Sequence, residues 1–260
     1  MQRLCDTSGT MATTRETEVI VGETEVRKRV LNPRARTRLA FEALCLSGYA
    51  DSPHLPRIRD FNAATLTLTT ERVQGQSFRE VFGVDDEWNG TPTAWDSAAG
   101  YLGQYIDAET DLLSRGLMYR DLNLGHLIFT GEKAVLVDHE ETVGKPDGSL
   151  KWRYNSYRGT WETMAPEEFP GCGYLTERTA TYRAALLAHL ALSGSLPFPR
   201  FDERDEVHKW RRSHPPEIAG SLDKPVRKVL RAALDSRIAR RHDSPQSFFN
   251  ELTASYEDTL

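Results

Sequence analysis

A chain of 260 residues is long enough to bury a sizeable core as one domain or one two-part domain. Its 33 basic and 38 acidic residues leave a net charge of −5, with no basic run that would suit a nucleic-acid partner. No stretch approaches the roughly 18 apolar residues of a membrane span, the start Met-Gln-Arg-Leu-Cys-Asp lacks a signal peptide's apolar core, and the three cysteines Cys5, Cys45 and Cys172 have no metal-ligand spacing, so a soluble cytoplasmic protein is expected.

Residues 6–17, Asp-Thr-Ser-Gly-Thr-Met-Ala-Thr-Thr-Arg-Glu-Thr, are small and polar and read as a turn between short strands or a loose leader. Val19–Val21 and Glu25–Leu31 alternate as two strands joined by Gly22-Glu23-Thr24. In the second strand Val26, Lys28 and Val30 share a face, where a lysine is costly without a charged partner. Taken alone, the neighbouring Arg27 and Arg29 suit an ordinary solvated lysine equally well.

Asn32-Pro33 reads as an N-cap followed by proline at the first helical position, and Gly48 as the stop. Between them Leu39, Phe41, Leu44 and Leu46 supply the apolar positions, and Glu42 is an acid on a helix whose start is rich in arginine. Phe61–Thr70 alternates as one strand, Glu71–Gly75 is a connector, and Ser77 opens a short helix. After the polar stretch Asp85–Thr93, the apolar residues Trp95, Ala98, Leu102, Tyr105, Ile106, Leu112 and Leu113 predict a helix over 94–115 ended by Gly116.

The stretch 116–140 then reads as a loop carrying Asp121, a strand Leu127–Phe129, a turn at Thr130-Gly131, and a strand Ala134–Val137 that delivers Asp138. Two carboxylates at the ends of short apolar strands suit a site needing one proton acceptor and one metal ligand. Gly144, Lys145-Pro146-Asp147-Gly148, Tyr154, Ser156 and Tyr157 mark 141–158 as an exposed segment, and helices are expected over 225–234 and 245–256, the second capped by Ser244 with Pro245 first.

Three blocks in this order resemble the protein kinase family: Tyr119-Arg120-Asp121 its His-Arg-Asp, Asp138-His139-Glu140 its Asp-Phe-Gly, and Gly159-Thr160 through Ala165-Pro166-Glu167 its Gly-Thr…Ala-Pro-Glu. The resemblance covers roughly residues 19–255. It implies an α+β, two-lobed protein kinase-like fold: residues 1–74 form a β-rich N-lobe with one helix, and 75–260 a mainly helical C-lobe. Tyr182 through Gly194 resembles the large lobe's buried helix.

The same resemblance assigns roles. Lys28 resembles the phosphate-binding lysine and Glu42 its helix partner; Glu71 and Val73 stand in the adenine-binding hinge and Ile128 among the nucleotide-binding positions. Asp121 takes the catalytic carboxylate's place, with Asn123 where a serine/threonine-kinase lysine stands. Arg120 resembles the arginine that pairs with a phosphorylated activation loop. Asp138 is the implied metal ligand, joined by His126 and Glu140. Glu167 is expected to pair with Arg241.

The sequence departs from the pattern at the missing glycine-rich loop, where only Gly9 is present, and at His126, Glu140 and Ala180, which replace asparagine, glycine and aspartate. Imidazole suits Mn²⁺ better than Mg²⁺. A column of Leu46, Tyr119 and His139 replaces the family's Phe-containing one. The resemblance implies ATP with Mg²⁺ or Mn²⁺, and a divergent serine/threonine protein kinase acting on a protein substrate. A pseudokinase working through a regulatory protein partner is the alternative. A small-molecule kinase, which lacks the segment matched by 159–167, is third.

Overall fold

β-branched and alternating residues near the N-terminus build an antiparallel sheet, in a computed structural model that describes residues 10–13, 16–145, 151–154, 158–169 and 173–257. Its strands are β1 (Thr10–Thr13), β2 (Thr17–Val21) and β3 (Glu25–Val30), then β4 (Ile58–Asn62) and β5 (Thr67–Glu71), in the order β1-β2-β3-β5-β4. Lys28 pairs with Val19 on one side and Leu68 on the other, in the middle of the sheet. The expected single strand Phe61–Thr70 is instead a hairpin. Asn62 Oδ1 accepts from the Ala64 and Thr65 N–H groups at 3.0 Å, and Leu66 takes a φ of 48°, so the chain turns before β5.

Asn32 caps as its sequence context suggests, accepting from Arg34 N–H, and starts a 3₁₀ turn at Pro33–Ala35 that runs into α1 (Arg36–Gly48). Leu39, Ala43 and Leu46 face inward, whereas Leu44, expected among the apolar positions, is 67% exposed. The inward stripe carries Glu42 with it, because positions 39, 42, 43 and 46 share one helix face.

The chain continues through β6 (Gln76–Ser77) and α2 (Phe78–Val81), which Ser77 and Glu80 open as a reciprocal capping box. α3 (Trp95–Ser114) follows, with Gly116 at φ 76° just beyond it. Trp95 is half-buried and stacks on Tyr256, ring centroids 4.5 Å apart. Then come β7 (Leu117–Met118), β8 (Leu127–Phe129), β9 (Ala134–Leu136), β10 (Val143–Gly144), β11 (Trp152–Tyr154) and β12 (Gly173–Leu175). They form three small antiparallel sheets, β6-β8-β9, β10-β7 and β11-β12.

The remaining helices are α4 (Glu177–Ser193), α5 (Arg204–Ser213), α6 (Lys224–Ala233) and α7 (Pro245–Glu257). α5 is not among the helices expected from the sequence. α4 is buried along nearly its whole length, consistent with its run of Ala and Leu, and it packs with α3, α6 and α7 around the main core. The fold is therefore α+β, with small antiparallel sheets and, among the described residues, seven α-helices. No helix among those residues is long and apolar enough to cross a membrane. The expected features at Cys5, Gly9, Pro146-Asp147-Gly148, Ser156, Tyr157 and Cys172 lie outside the described residues.

Candidate active site

Lys28 projects from the central strand β3 into a nearly closed interior and is 9% exposed. A buried ammonium needs compensating charge. It receives this from α1 and from the end of β9: Lys28 Nζ lies 2.9 Å from both Glu42 oxygens and 2.8 Å from Asp138 Oδ1, with Glu140 Oε1 at 3.8 Å. Burial alone would drive the ammonium's pKa down, but the Glu42, Asp138 and Glu140 carboxylates overcome it and hold the pKa above its usual value. Burial pushes Glu42 up against the pull of Lys28. For Asp138, Lys28 and then His126 outweigh burial and hold the carboxyl well below the usual range.

Asp138 adopts φ 63°, a left-handed conformation that costs a non-glycine residue about 1–2 kcal/mol. His139 anchors this turn from below. Its N–H donates to Glu42 Oε1 at 3.0 Å, its Nε2 reaches Leu136 O at 2.8 Å, and its Nδ1 reaches Thr142 Oγ1 at 3.1 Å. The Leu136 carbonyl requires Nε2–H, so Nδ1 accepts from the threonine hydroxyl and the neutral ring is fully satisfied. The Tyr119 ring meets the His139 ring edge-on at 5.2 Å, and its hydroxyl donates to Val137 O at 2.7 Å. Leu46, Tyr119 and His139 are all buried.

Asp121 sits in the loop between β7 and β8. Its Oδ1 accepts the Thr160 hydroxyl at 2.7 Å, and Leu122 O accepts the Thr163 hydroxyl at 2.9 Å, so the segment after residue 158 braces the loop. His126 stands between the two aspartates, Nδ1 3.9 Å from Asp121 Oδ2 and Nε2 3.8 Å from Asp138 Oδ2. One ligand atom from each of Asp121, His126 and Asp138 lies within 4.8 Å of the others. The same holds for Glu42, Asp138 and Glu140, but there the Lys28 ammonium already fills the centre.

Lys28, Glu42, Asp121, His126 and Asp138 thus converge. Other expected site residues face elsewhere. Arg120, expected beside the catalytic carboxylate to meet a phosphate, is 1% exposed, 3.5 Å from Glu168, with its guanidinium 4.6 Å from the Tyr154 ring centroid. A group so enclosed braces the loop. Asn123 uses its amide oxygen within the loop, accepting Gly125 N–H at 2.9 Å, and does not turn toward Asp138 through that atom. Glu140 lies between Lys28 and Arg38, whose Nε is 3.5 Å away, so it serves the ion-pair network; ligating a metal there would require displacing Lys28.

The connector after β5 lies three residue pairs along the sheet from Lys28, since Glu71 pairs with Glu25 where Lys28 pairs with Leu68, roughly 10 Å by strand rise. Glu71 accepts from Arg57 N–H through its carboxylate, and the Arg72 N–H donates to Thr24 O at 2.9 Å. Val73 is half-buried. Ile128 lies beside the same connector: a Cβ built on Gly75 would be 3.0 Å from its Cγ2 and 2.2 Å from Phe129 O.

Several supporting residues are not obvious from sequence spacing. Glu109 of α3, Arg183 of α4 and Glu168 form a buried ion network with Arg120, at 3.5–3.7 Å. Through Arg120 it braces the loop that carries Asp121. An arginine inside the apolar run Tyr182-Arg183-Ala-Ala-Leu-Leu was the available signal. Glu16, at the turn entering β2, accepts from Arg38 and, at 2.7 and 2.9 Å, from Arg158. Arg241 meets Glu167 through paired bonds of 2.7 and 2.9 Å, a far-apart pair that closes the lower core.

No family model matches the chain. Among curated proteins it is similar to the serine/threonine-protein kinase PKH2 of Saccharomyces cerevisiae, at 27% identity over 170 residues. That match covers 58% of this chain and 15% of the yeast protein, so the chain spans only a small part of the relative's length. At this identity and coverage the similarity is to a kinase-like family and extends no finer.

Proposed function

We propose that the chain is a two-lobed kinase-like domain, residues 1–74 and 75–260, that transfers the γ-phosphate of ATP to a protein serine or threonine hydroxyl. The observation that carries this reading is the Lys28 ammonium held between Glu42 and Asp138, with Asp121 beside them on a braced loop. Phosphoryl transfer requires mainly positioning and charge neutralisation.

Lys28 binds phosphate oxygens, fixed against Glu42. Asp121 accepts the proton of the attacking hydroxyl through Oδ2, the oxygen that Thr160 leaves free. The connector over Glu71–Val73 offers main-chain groups to the adenine, at roughly 10 Å along the strand from Lys28, with Ile128 beneath it. The donor set of Asp121, His126 and Asp138 fits a divalent ion of the Mn²⁺ kind, and such an ion, when bound, neutralises phosphate charge.

A binding-only reading, in which the chain holds nucleotide and acts through a protein partner, draws support from the sequence ahead of Val19, where Gly9 is the only glycine and the glycine-rich pattern is missing. One experiment separates the two. Purified protein with Mn- or Mg-ATP is expected to label itself or a generic protein acceptor, and Asp121→Asn to lower labelling at least about 100-fold while sparing nucleotide binding. Equal labelling by wild type and Asp121→Asn would sink the enzyme reading; a thermal shift with ATP and no labelling by either would favour the binding module.

A further inference from the structure

Glu16 joins parts of the molecule that the chain keeps apart. Its main-chain oxygen accepts from the N–H groups of Leu31 at 2.8 Å and Asn32 at 3.2 Å, which pins it at the junction between β3 and the helical turn before α1. From that fixed point the carboxylate meets Arg38 of α1 and accepts a paired contact from Arg158, Nη1 to Oε2 at 2.7 Å and Nη2 to Oε1 at 2.9 Å. The two guanidiniums, Arg158 foremost, hold the Glu16 carboxyl well below the usual carboxylate range, so it stays ionised at neutral pH.

Each arginine leads to a different half of the candidate site. Arg38 lies one helical turn before Glu42 on α1, and its Nε is 3.5 Å from Glu140, whose other oxygen is 3.8 Å from Lys28 Nζ. Arg158 stands two residues before Thr160, whose hydroxyl donates to Asp121 Oδ1 at 2.7 Å. Between those two, Gly159 passes so close to the Asp121 loop that an added Cβ would be 3.2 Å from Arg120 O. A displacement of Arg158 is therefore felt at Asp121, and a displacement of Arg38 at the Lys28–Glu42 pair.

An isolated surface ion pair contributes little, because ordering two long side chains offsets most of the Coulomb gain. Here much of the ordering is already in place. The acid is held by its own main chain, the Arg38 side chain is 17% exposed, and the Arg158 contact has the forked geometry that matches guanidinium to carboxylate.

We propose that Glu16 is a positioning residue whose carboxylate clasps Arg38 to Arg158, and so holds the Lys28–Glu42 pair and the Asp121 loop in register with one another. Its effect on phosphate transfer rests on the function proposed above; the clasp itself rests on the geometry.

The test is amide hydrogen exchange of the full chain, read by mass spectrometry without nucleotide, for wild type, Glu16→Gln, Arg158→Gln, the double variant and Glu18→Gln. Thermal melts report whether each variant is folded. Glu16→Gln is expected to speed exchange at least about fivefold in residues 159–164 and 119–126 together, with α6 and α7 unchanged. Glu18→Gln, which removes the nearby surface pair with Arg29, is expected to change neither segment. In the labelling assay Glu16→Gln and Arg158→Gln are each expected to lower kcat at least about tenfold, with KM for ATP within about threefold, because each half of the site keeps its own contacts. The double variant is expected to be no worse than either single one, and Arg158→Lys to recover part of the loss. In wild type, raising NaCl from about 0.05 to about 0.5 M is expected to speed the same two segments, a readout that needs no variant to fold.

Unchanged exchange in either segment of folded Glu16→Gln, an equal change in Glu18→Gln, additive losses in the double variant, unchanged kcat where wild type labels, or exchange that salt leaves unaltered would each overturn the proposal. Failure of the phosphotransfer reading looks different: the exchange pattern holds, but wild type and Asp121→Asn label equally.

Discussion

Two histidines, His126 and His139, sit on either side of Asp138. His126 faces the aspartates from a half-exposed position, whereas His139 is enclosed and its two nitrogens are satisfied only by the neutral ring. Burial lowers the His139 pKa from 6.5 to about 4, with Lys28 adding to the effect. The unfolded chain therefore binds a proton between those values that the folded chain refuses. This contribution is fully present above pH 6.5 and is lost as pH falls toward 4, amounting to roughly 3 kcal/mol. Urea unfolding at pH 7 and pH 5 is expected to show a decline in wild type that His139→Phe reduces. An identical decline in both would assign the pH dependence to other groups.

At the scale of elements, the site depends on how closely β8 approaches the connector that leaves β5. Gly75 allows that approach, since an added Cβ would lie 2.2 Å from the Phe129 carbonyl oxygen, which belongs to the backbone of β8 and cannot swing aside. Gly75→Ala is expected to push the connector off β8, lowering the melting temperature and weakening adenine-nucleotide binding. Gly48→Ala, in the last turn of α1 with open space around it, serves as the contrast and is expected to be neutral or to stabilise by up to about 1 kcal/mol. Calorimetric binding of ATP to both variants checks this; equal affinities would remove the connector from the proposed nucleotide site. Element positions were legible where the local signals agreed, as at the Asn32 cap, the Ser244 cap and the periodic stretch that became α3. They were not at Phe61–Thr70, where alternation continues through a turn that Asn62 makes by bonding its own backbone.

Across the whole molecule, buried charge links parts that the sequence keeps far apart. Glu109, Arg183, Glu168 and Arg120 come from α3, α4, the turn after Pro166 and the Asp121 loop, and each is at most 1% exposed. Removing one member strands the others: Arg183→Met is expected to cost about 3–5 kcal/mol, and Arg183→Met with Glu109→Met appreciably less. Urea unfolding of the single and double variants measures the coupling; additive losses would mean that the charges do not act together. The sequence by itself determined the local elements and the capped helix starts, because propensity and periodicity act over short spans, while the candidates Lys28, Glu42, Asp121 and Asp138 came from the resemblance of its motifs to the protein kinase family. Only the tertiary structure decided which of those charges meet, that Arg120 turns inward to Glu168, and that Lys28 occupies the centre Glu140 would otherwise share with a metal. Side-chain direction at a loop or strand end is set by contacts with partners up to 142 residues away, and spacing along the chain carries no record of them.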